Sequence, residues 1–325
     1  MHKGDGAENY VRLIDDLLAH DAALSTFLRA LLTKLGLKVS PEDSSSQNDV
    51  NGKGNPELTP IHISSTSEAL NRALYESLVI LADDPLAPVA GNTFSIRDTN
   101  DVFYIKYLES AFESMRELGT CLEEMDTYSQ DIVPKLVYFH SAPMTYRHFS
   151  SKEYFKYLPS NSKIGQSLAY VEVTSSTQTL LDKNSALLHT LPSGFVITAT
   201  SQVNGRGRAG NAWISPRGSL PFSFIIHLPL NLSSRLVFVQ YLVSLAVVEA
   251  IRTYDEGWED VDVCIKWPND VYGKPRGEDR WEKIGGIIVN STYLEKQYVL
   301  VVGTWQHTVS FLFVLYLFST RLLTP

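Results

Sequence analysis

Two cysteines in 325 residues, Cys121 and Cys264, leave no disulfide framework and no thiolate zinc spacing. The eight histidines form no H-E-x-x-H pair, and no G-x-S-x-G nucleophile elbow occurs, which removes the metalloprotease and serine-hydrolase readings. Basic residues are few: 28 Lys and Arg stand against 36 Asp and Glu, a net charge of −8. Bulk nucleic-acid binding needs a basic surface, so it is not expected. The stretch Met1 to Tyr10 is polar and has no apolar signal core, which predicts a cytoplasmic rather than a secreted protein. The triplets Asn231-Leu232-Ser233 and Asn290-Ser291-Thr292 therefore carry no glycosylation expectation. Val309 to Phe318 would span about 15 Å as a helix, half a bilayer core, so no membrane anchor is expected. Hydrophobic residues make up 44% of the chain, enough for one good core and a second small unit.

What the chain does have is a glycine loop that carries two arginines. The run Gln202-Val203-Asn204-Gly205-Arg206-Gly207-Arg208-Ala209-Gly210-Asn211-Ala212-Trp213 follows an apolar, strand-like segment, Phe195 to Ala199. Glycines let a backbone wrap closely around a ligand, and two guanidinium forks in the same loop suit phosphate or carboxylate oxygens. The spacing Gly205-x-Gly207-x-x-Gly210 satisfies the dinucleotide fingerprint, but that motif must open a helix. Here Trp213-Ile214-Ser215-Pro216-Arg217-Gly218 breaks any helix, and another strand-like run, Leu220 to Leu228, follows. A Rossmann site is not expected, and an anion loop between strands remains.

A second motif lies downstream. Val263-Cys264-Ile265 reads as a short buried strand, with Cys264 a packed thiol, and runs into Lys266-Trp267-Pro268-Asn269-Asp270-Val271. Pro268 ends the strand, so Lys266 sits at the end of a rigid element, a compact charge suited to an oxyanion.

With these two motifs the chain resembles the catalytic domain of biotin protein ligases, of the fungal type. Glu172-Val173-Thr174-Ser175-Ser176-Thr177-Gln178 is similar to the family's biotin-contacting Ser-Thr segment. Lys283-Ile284-Gly285-Gly286-Ile287-Ile288-Val289 is similar to its Lys-x-x-Gly strand, and Tyr298 to Gly303 to the strand that follows. The resemblance covers roughly residues 165 to 304. It implies an α+β fold with a mixed, largely antiparallel sheet backed by helices. It also implies ATP-dependent formation of biotinyl-5'-AMP, then transfer of biotin to a lysine of a carrier protein. The expected substrates are biotin and ATP with Mg²⁺, and the expected partners are the biotin carboxyl carrier domains of acetyl-CoA carboxylase and pyruvate carboxylase types.

The residues suit that chemistry, which is positioning plus charge neutralisation. Arg206, Arg208 and Lys266 are the candidate catalytic cations. Ser176, Thr177, Gln178, Gln202, Gly207, Arg206, Arg208 and Lys266 are the candidate biotin contacts, the polar ones offering donors and acceptors for a ureido ring. Gly205, Arg208, Trp213, Asn269 and Lys283 are candidates for ATP or adenylate. Asn269 reads equally as a turn residue and Lys283 as a strand-flanking charge; Asp270 reads as near the metal, near the incoming lysine, or as a turn cap. No residue set for the metal is legible. Two other readings stay open: a catalytically impaired biotin-binding fragment, and a lipoyl protein ligase, against which the paired arginines in a glycine loop count.

Along the chain, residues 1–38 carry helical spacing and read as the trailing segment of an N-terminal region. Residues 39–58, rich in Ser, Asn, Gly and Asp, read as a linker. Residues 59–160 have no legible function, although 66–82 and 107–126 look helical. Residues 161–304 read as the catalytic domain, in part. Within it the pattern predicts a helix over 177–188, strands over 195–200 and 220–228, and a helix capped by Ser233 or Ser234 and running to Tyr254. Strands near 261–266, 284–290 and 297–302 follow. The family pattern stops after Gly303-Thr304, and residues 305–325 form an atypical apolar tail. Gly303-Thr304-Trp305 can be encoded through GTACGT, a fungal splice-donor sequence, so a retained intron is the expectation here.

Overall fold

Runs of alternating apolar residues build one mixed sheet of twelve strands among the described residues. The computed structural model describes residues 59–84, 92–109, 134–207, 211–254, 256–274 and 279–306, all inside one compact unit, Pro56–Pro325. Expectations about residues 1–58, Arg208 and the tail beyond 306 lie outside the described residues.

Among the described residues the first elements are β1 (Ile61–Ser65), α1 (Glu68–Val79), β2 (Thr93–Arg97), β3 (Val102–Leu108) and β4 (Pro134–His140). Then come α2 (Ser151–Tyr157), β5 (Ser167–Thr174), α3 (Thr177–Asp182), α4 (Ser185–Thr190), β6 (Val196–Arg206), β7 (Ala212–Ser215) and β8 (Phe222–Pro229). A 3-10 segment, Leu230–Phe238, leads into α5 (Val239–Arg252). The last strands are β9 (Val263–Lys266), β10 (Asp270–Gly273), β11 (Glu282–Leu294) and β12 (Gln297–Gln306). Across the sheet the order is β2-β3-β4-β1-β5-β6-β8-β12-β11-β10-β9, with β7 on β6. Only β1–β4, β3–β4 and β5–β6 are parallel; the other pairings are antiparallel. The mixed, largely antiparallel sheet backed by helices is as expected.

The central strands are buried on both faces, because successive side chains point to opposite sides. Phe224, Ile226, Leu300 and Val302 meet α2 and α5 on one face. Ile225, Val299 and Val301 meet the side carrying α1, α3 and α4 on the other. Among the described residues one segment, Leu230–Arg252, is long and apolar enough by composition to cross a membrane. Its Val243, Val247, Ala250 and Ile251 are packed in this core.

Strands on both sides of residue 160 share the sheet, since β1 pairs with β5 along its length. The helix expected over 66–82 is α1, with Ser67 as its N-cap accepting from the Leu70 amide. Tyr107 and Leu108, taken as the start of a helix, instead end β3. The single helix expected over 177–188 is two helices, broken at Asn184, whose backbone is extended and whose side chain is held elsewhere. Neither Ser233 nor Ser234 caps α5; the chain enters it through the 3-10 turn, without a side-chain cap. The strand expected to be buried at 263–265 is β9, the last described strand of the sheet, so Cys264 and Ile265 are exposed and only Val263 enters the core.

On β1 and β4 two imidazoles meet, His62 Nδ1 lying 2.9 Å from His140 Nε2, beneath the Tyr146 ring. Burial, with the neighbouring His140 adding to it, lowers the His62 pKa to about 3; burial alone lowers that of His140 to about 4. The unfolded chain therefore binds more protons than the folded one between these values and the ordinary 6.5. The contribution of the neutral pair to stability is full above pH 6.5 and is lost as the pH falls toward 4. Thermal midpoints should drop across that window, and His140→Gln should flatten the drop. An unchanged acid slope in that variant would show that other groups govern it.

Candidate functional site

The site is built where β5 runs into α3 beside the ends of β6, β8, β11 and β12. Ser176 is the N-cap of α3, its hydroxyl accepting from the Thr179 amide at 3.3 Å. Thr177 donates both its amide and its hydroxyl to Gln202 Oε1, at 2.7 and 3.0 Å. That fixes the Gln202 amide, whose nitrogen then donates to the Ser215 hydroxyl at 3.2 Å. The Thr177 and Ser223 hydroxyls are 2.9 Å apart, and Ser223 lies 3.3 Å from Gln178 Oε1. Gln178 donates its nitrogen to the Val301 carbonyl at 2.9 Å.

The count of protons in this chain is informative. Thr177 and Ser223 carry one hydroxyl proton each, yet three contacts ask for one: Thr177 to Gln202, Thr177 to Ser223, and Ser223 to Gln178. Every acceptor can still be met, because the Thr177 amide already donates to Gln202 Oε1, which leaves the Thr177 hydroxyl for Ser223 and the Ser223 hydroxyl for Gln178. Thr177, Gln178, Gln202, Ser215 and Ser223 are all buried, and their oxygens keep spare lone pairs in a low-dielectric floor where an N–H from a ligand is favoured.

Above that floor is a cavity of about 190 Å³, lined by the five residues just named and by Arg206, Lys283, Trp213 and Trp305 among others. Lys283 Nζ sits 2.8 Å from Asp270 Oδ1 and 4.9 Å from the centroid of the Trp213 ring. Trp213 stacks on Trp305 at 5.5 Å. Gly207 lets the loop lie against this indole, because a Cβ there would come 2.3 Å from Trp213 Nε1. Its amide donates to the Asn211 carbonyl at 2.7 Å, closing the loop.

Of the residues singled out from sequence, Ser176, Thr177, Gln178, Gln202, Gly205, Arg206, Gly207, Trp213, Asn269 and Lys283 all line the cavity. Asn269 is also the turn residue: its side chain donates to the Ile287 carbonyl at 3.0 Å, and its carbonyl accepts from the Ile287 amide. Arg208 lies outside the described residues. Lys266 does not line the cavity. It is exposed at the end of β9, donating to Tyr272 Oη at 3.2 Å and lying over that ring. Its register partner is Asp270, so it occupies the same face of the sheet as the cavity cation Lys283, which pairs with Tyr272.

Sequence reasoning missed Ser215, Ser223, Gly303, Thr304 and Trp305. Trp305 was placed in the atypical tail but belongs to β12, paired with Gly286. The serines gave no motif; their only signal was a small polar residue at an inward strand position. Among the described residues no group of three or more His, Cys, Asp and Glu side chains is placed to hold a metal ion. Asp270, the cavity carboxylate, is already paired with Lys283.

The site is thus a half-polar cavity at the strand ends of a mixed sheet, with a buried amide-hydroxyl floor and two cations in its lining. Residues 170–305 match the biotin/lipoate A/B protein ligase family, and the chain carries a domain of that family. It is 42% identical to the biotin–protein ligase of Schizosaccharomyces pombe over 159 residues, 46% of this chain and 25% of that protein. It is 30% identical to the human biotin–protein ligase over 280 residues, 85% of this chain and 32% of that protein. Among solved structures, the Aquifex aeolicus biotin protein ligase in complex with biotin and ATP is 28% identical, with a TM-score of 0.33 over 44% of this chain and 53% of that one. The chain spans between a quarter and a third of the length of these two curated relatives.

Proposed function

We propose that this protein is an ATP-dependent biotin protein ligase of the cytoplasm, acting on the biotin carboxyl carrier domains of carboxylases. The observation that carries this reading is the buried hydroxyl and amide floor of Thr177, Ser223 and Gln178, whose oxygens keep spare lone pairs facing the cavity lining. A ureido ring presents N–H donors beside a carbonyl acceptor, and so can donate to those oxygens while its own oxygen accepts from a hydroxyl of the same set. The two indoles supply the apolar wall for the ring and valeryl chain. A lipoyl ring has no N–H to offer this floor.

In the first step a carboxylate oxygen of biotin attacks the α-phosphorus of ATP and pyrophosphate leaves, giving the mixed anhydride. In the second, a carrier lysine amine attacks the acyl carbon, AMP leaves and the amine sheds a proton. Both steps require anions to be brought together, and Lys283 and Arg206 are the cations at the cavity. Arg208 in the glycine loop and Lys266 on the neighbouring strand are assigned to the nucleotide phosphates. Magnesium bound with the nucleotide would supply charge neutralisation on the departing pyrophosphate, and few protein carboxylates would be needed to hold it. Asp270 is the candidate carboxylate among the site residues.

Purified protein should release pyrophosphate from MgATP only when biotin is present, and should then label a carrier domain. Turnover without biotin, or equal turnover with lipoate, would overturn the assignment.

A further inference from the structure

We propose that the β2–β3 hairpin is a positioning device for the biotin floor, acting through the junction between α3 and α4; this rests on the ligase reading above. The junction residue Asn184 is fully buried. It stands at the N-cap position of α4 but its own side chain caps nothing there. Asp98, from the hairpin, does the capping instead: Oδ1 accepts from the Ala186 amide at 3.1 Å and Oδ2 from the Leu187 amide at 2.7 Å.

The exchange is reciprocal. Asn184 Oδ1 accepts from the hairpin amides of Asn100 and Asp101, at 3.2 and 3.0 Å. Asn184 Nδ2 donates to Asp101 Oδ2 at 2.8 Å and to the Leu180 carbonyl, on α3, at 3.1 Å. Thr99 and Ser185 add a hydroxyl contact at 2.8 Å. Helix ends leave backbone groups that need partners, and here each loop supplies the other's.

Because α3 is one short helix, this clasp is close to the cavity. From Asn184 back to Gln178 is six residues, about 9 Å at the helical rise. Gln178 and Thr177 are the floor residues, and the Leu180 carbonyl held by Asn184 belongs to the same turn. Leu180 and Leu181 pack into the core shared with Ile61 and Phe103, so the N-terminal half of the sheet sets the lateral position of α3 while the clasp sets its end. A floor displaced by about 1 Å would misplace biotin without touching the nucleotide contacts, and misplacement on that scale is costly.

Asn184→Asp sets a carboxylate oxygen against Asp101 and removes the donor to Leu180. Combining it with Asp101→Asn reverses the polarity and remakes the cross-loop bond. We expect the single substitution to raise KM for biotin about tenfold with KM for ATP within about twofold, and the pair, which remakes the bond to the hairpin but not the one to Leu180, to recover part of the loss. Amide hydrogen exchange over residues 177–182 should speed up in the single variant and slow part of the way back in the pair. Thr99→Ala, at an exposed position, should give a milder shift in the same direction and serves if Asn184→Asp does not fold. Both KM values rising together, or unchanged exchange over 177–182 in the variants, would overturn the positioning role. Failure of biotin-dependent pyrophosphate release in the unmodified protein would instead remove the ligase reading, and the exchange measurement still decides the clasp.

Discussion

Lys283→Ala is expected to slow biotinyl-adenylate formation by roughly a hundredfold or more, the usual loss for one preorganised charge donor. Lys266→Ala should cost clearly less. Sequence alone favours Lys266, because it ends a strand beside a fixed turn. The structure offers a reason to prefer Lys283: its ammonium lines the cavity and is aimed by two neighbours, the Asp270 carboxylate and the face of Trp213. Lys266 is exposed and turned onto Tyr272. A charge held in place before the reaction needs no reorganisation during it, and a half-buried one is screened less by water. The readout is single-turnover adenylate formation, with biotin affinity measured separately. Loss of kcat with biotin affinity retained marks stabilisation of the developing charge; loss of affinity alone marks ground-state binding. If Lys266→Ala proves the more damaging substitution, the assignment of the two lysines is reversed.

The difference between the two lysines shows where sequence reading stops. The motifs located the loop, the Ser-Thr segment and both lysine strands, because each is a contiguous run whose residue types carry their own chemistry. Which lysine faces the cavity depends on how the Lys266–Asp270 hairpin is seated against β11, and that is a register across strands rather than a pattern along one. The same holds for Ser215 and Ser223. Each is one small residue in an apolar strand, and only the pairings of β6 with β7 and β8 bring them to Gln202 and Thr177. Secondary structure was read well where burial follows the period, as in α1, β8 and β12. It was misread where a local contact overrode the period: at Asn184, where a buried side chain breaks a continuous helical pattern, and at β9, where an apolar triplet lies at the side of the sheet. The N-terminal strands gave no functional signal in sequence because the part proposed for them in the site, through the hairpin and α4, is made of capping bonds between residues 88 and 89 positions apart.

Gly303 gives the second large expected effect. It lies in β12 opposite Ile288 on one side and Ser223 on the other, under the side chain of Gln178. A Cβ at this position would come 2.3 Å from Gln178 Oε1 and 3.1 Å from Ile288 Cγ2. Gln178 cannot swing away cheaply, since it is buried and tied to the Val301 carbonyl. Gly303→Ala should therefore push the amide off its bonds, with an overpacking cost of about 1–3 kcal/mol, and lower biotin affinity by about tenfold or more as the floor loses an acceptor. The combination Gly303→Ala with Gln178→Ser tests the cause. Shortening the side chain removes the overlap, so thermal stability should return toward that of the parent protein while biotin affinity stays low. Residues in direct contact are where such non-additivity is expected. If the double variant recovers affinity as well, Gln178 is only a space-filling residue and the acceptor for biotin must be sought elsewhere in the floor. If Gly303→Ala changes neither stability nor affinity, the strand can yield by enough to hold a methyl group, and the close approach of β12 to α3 is not what shapes the pocket.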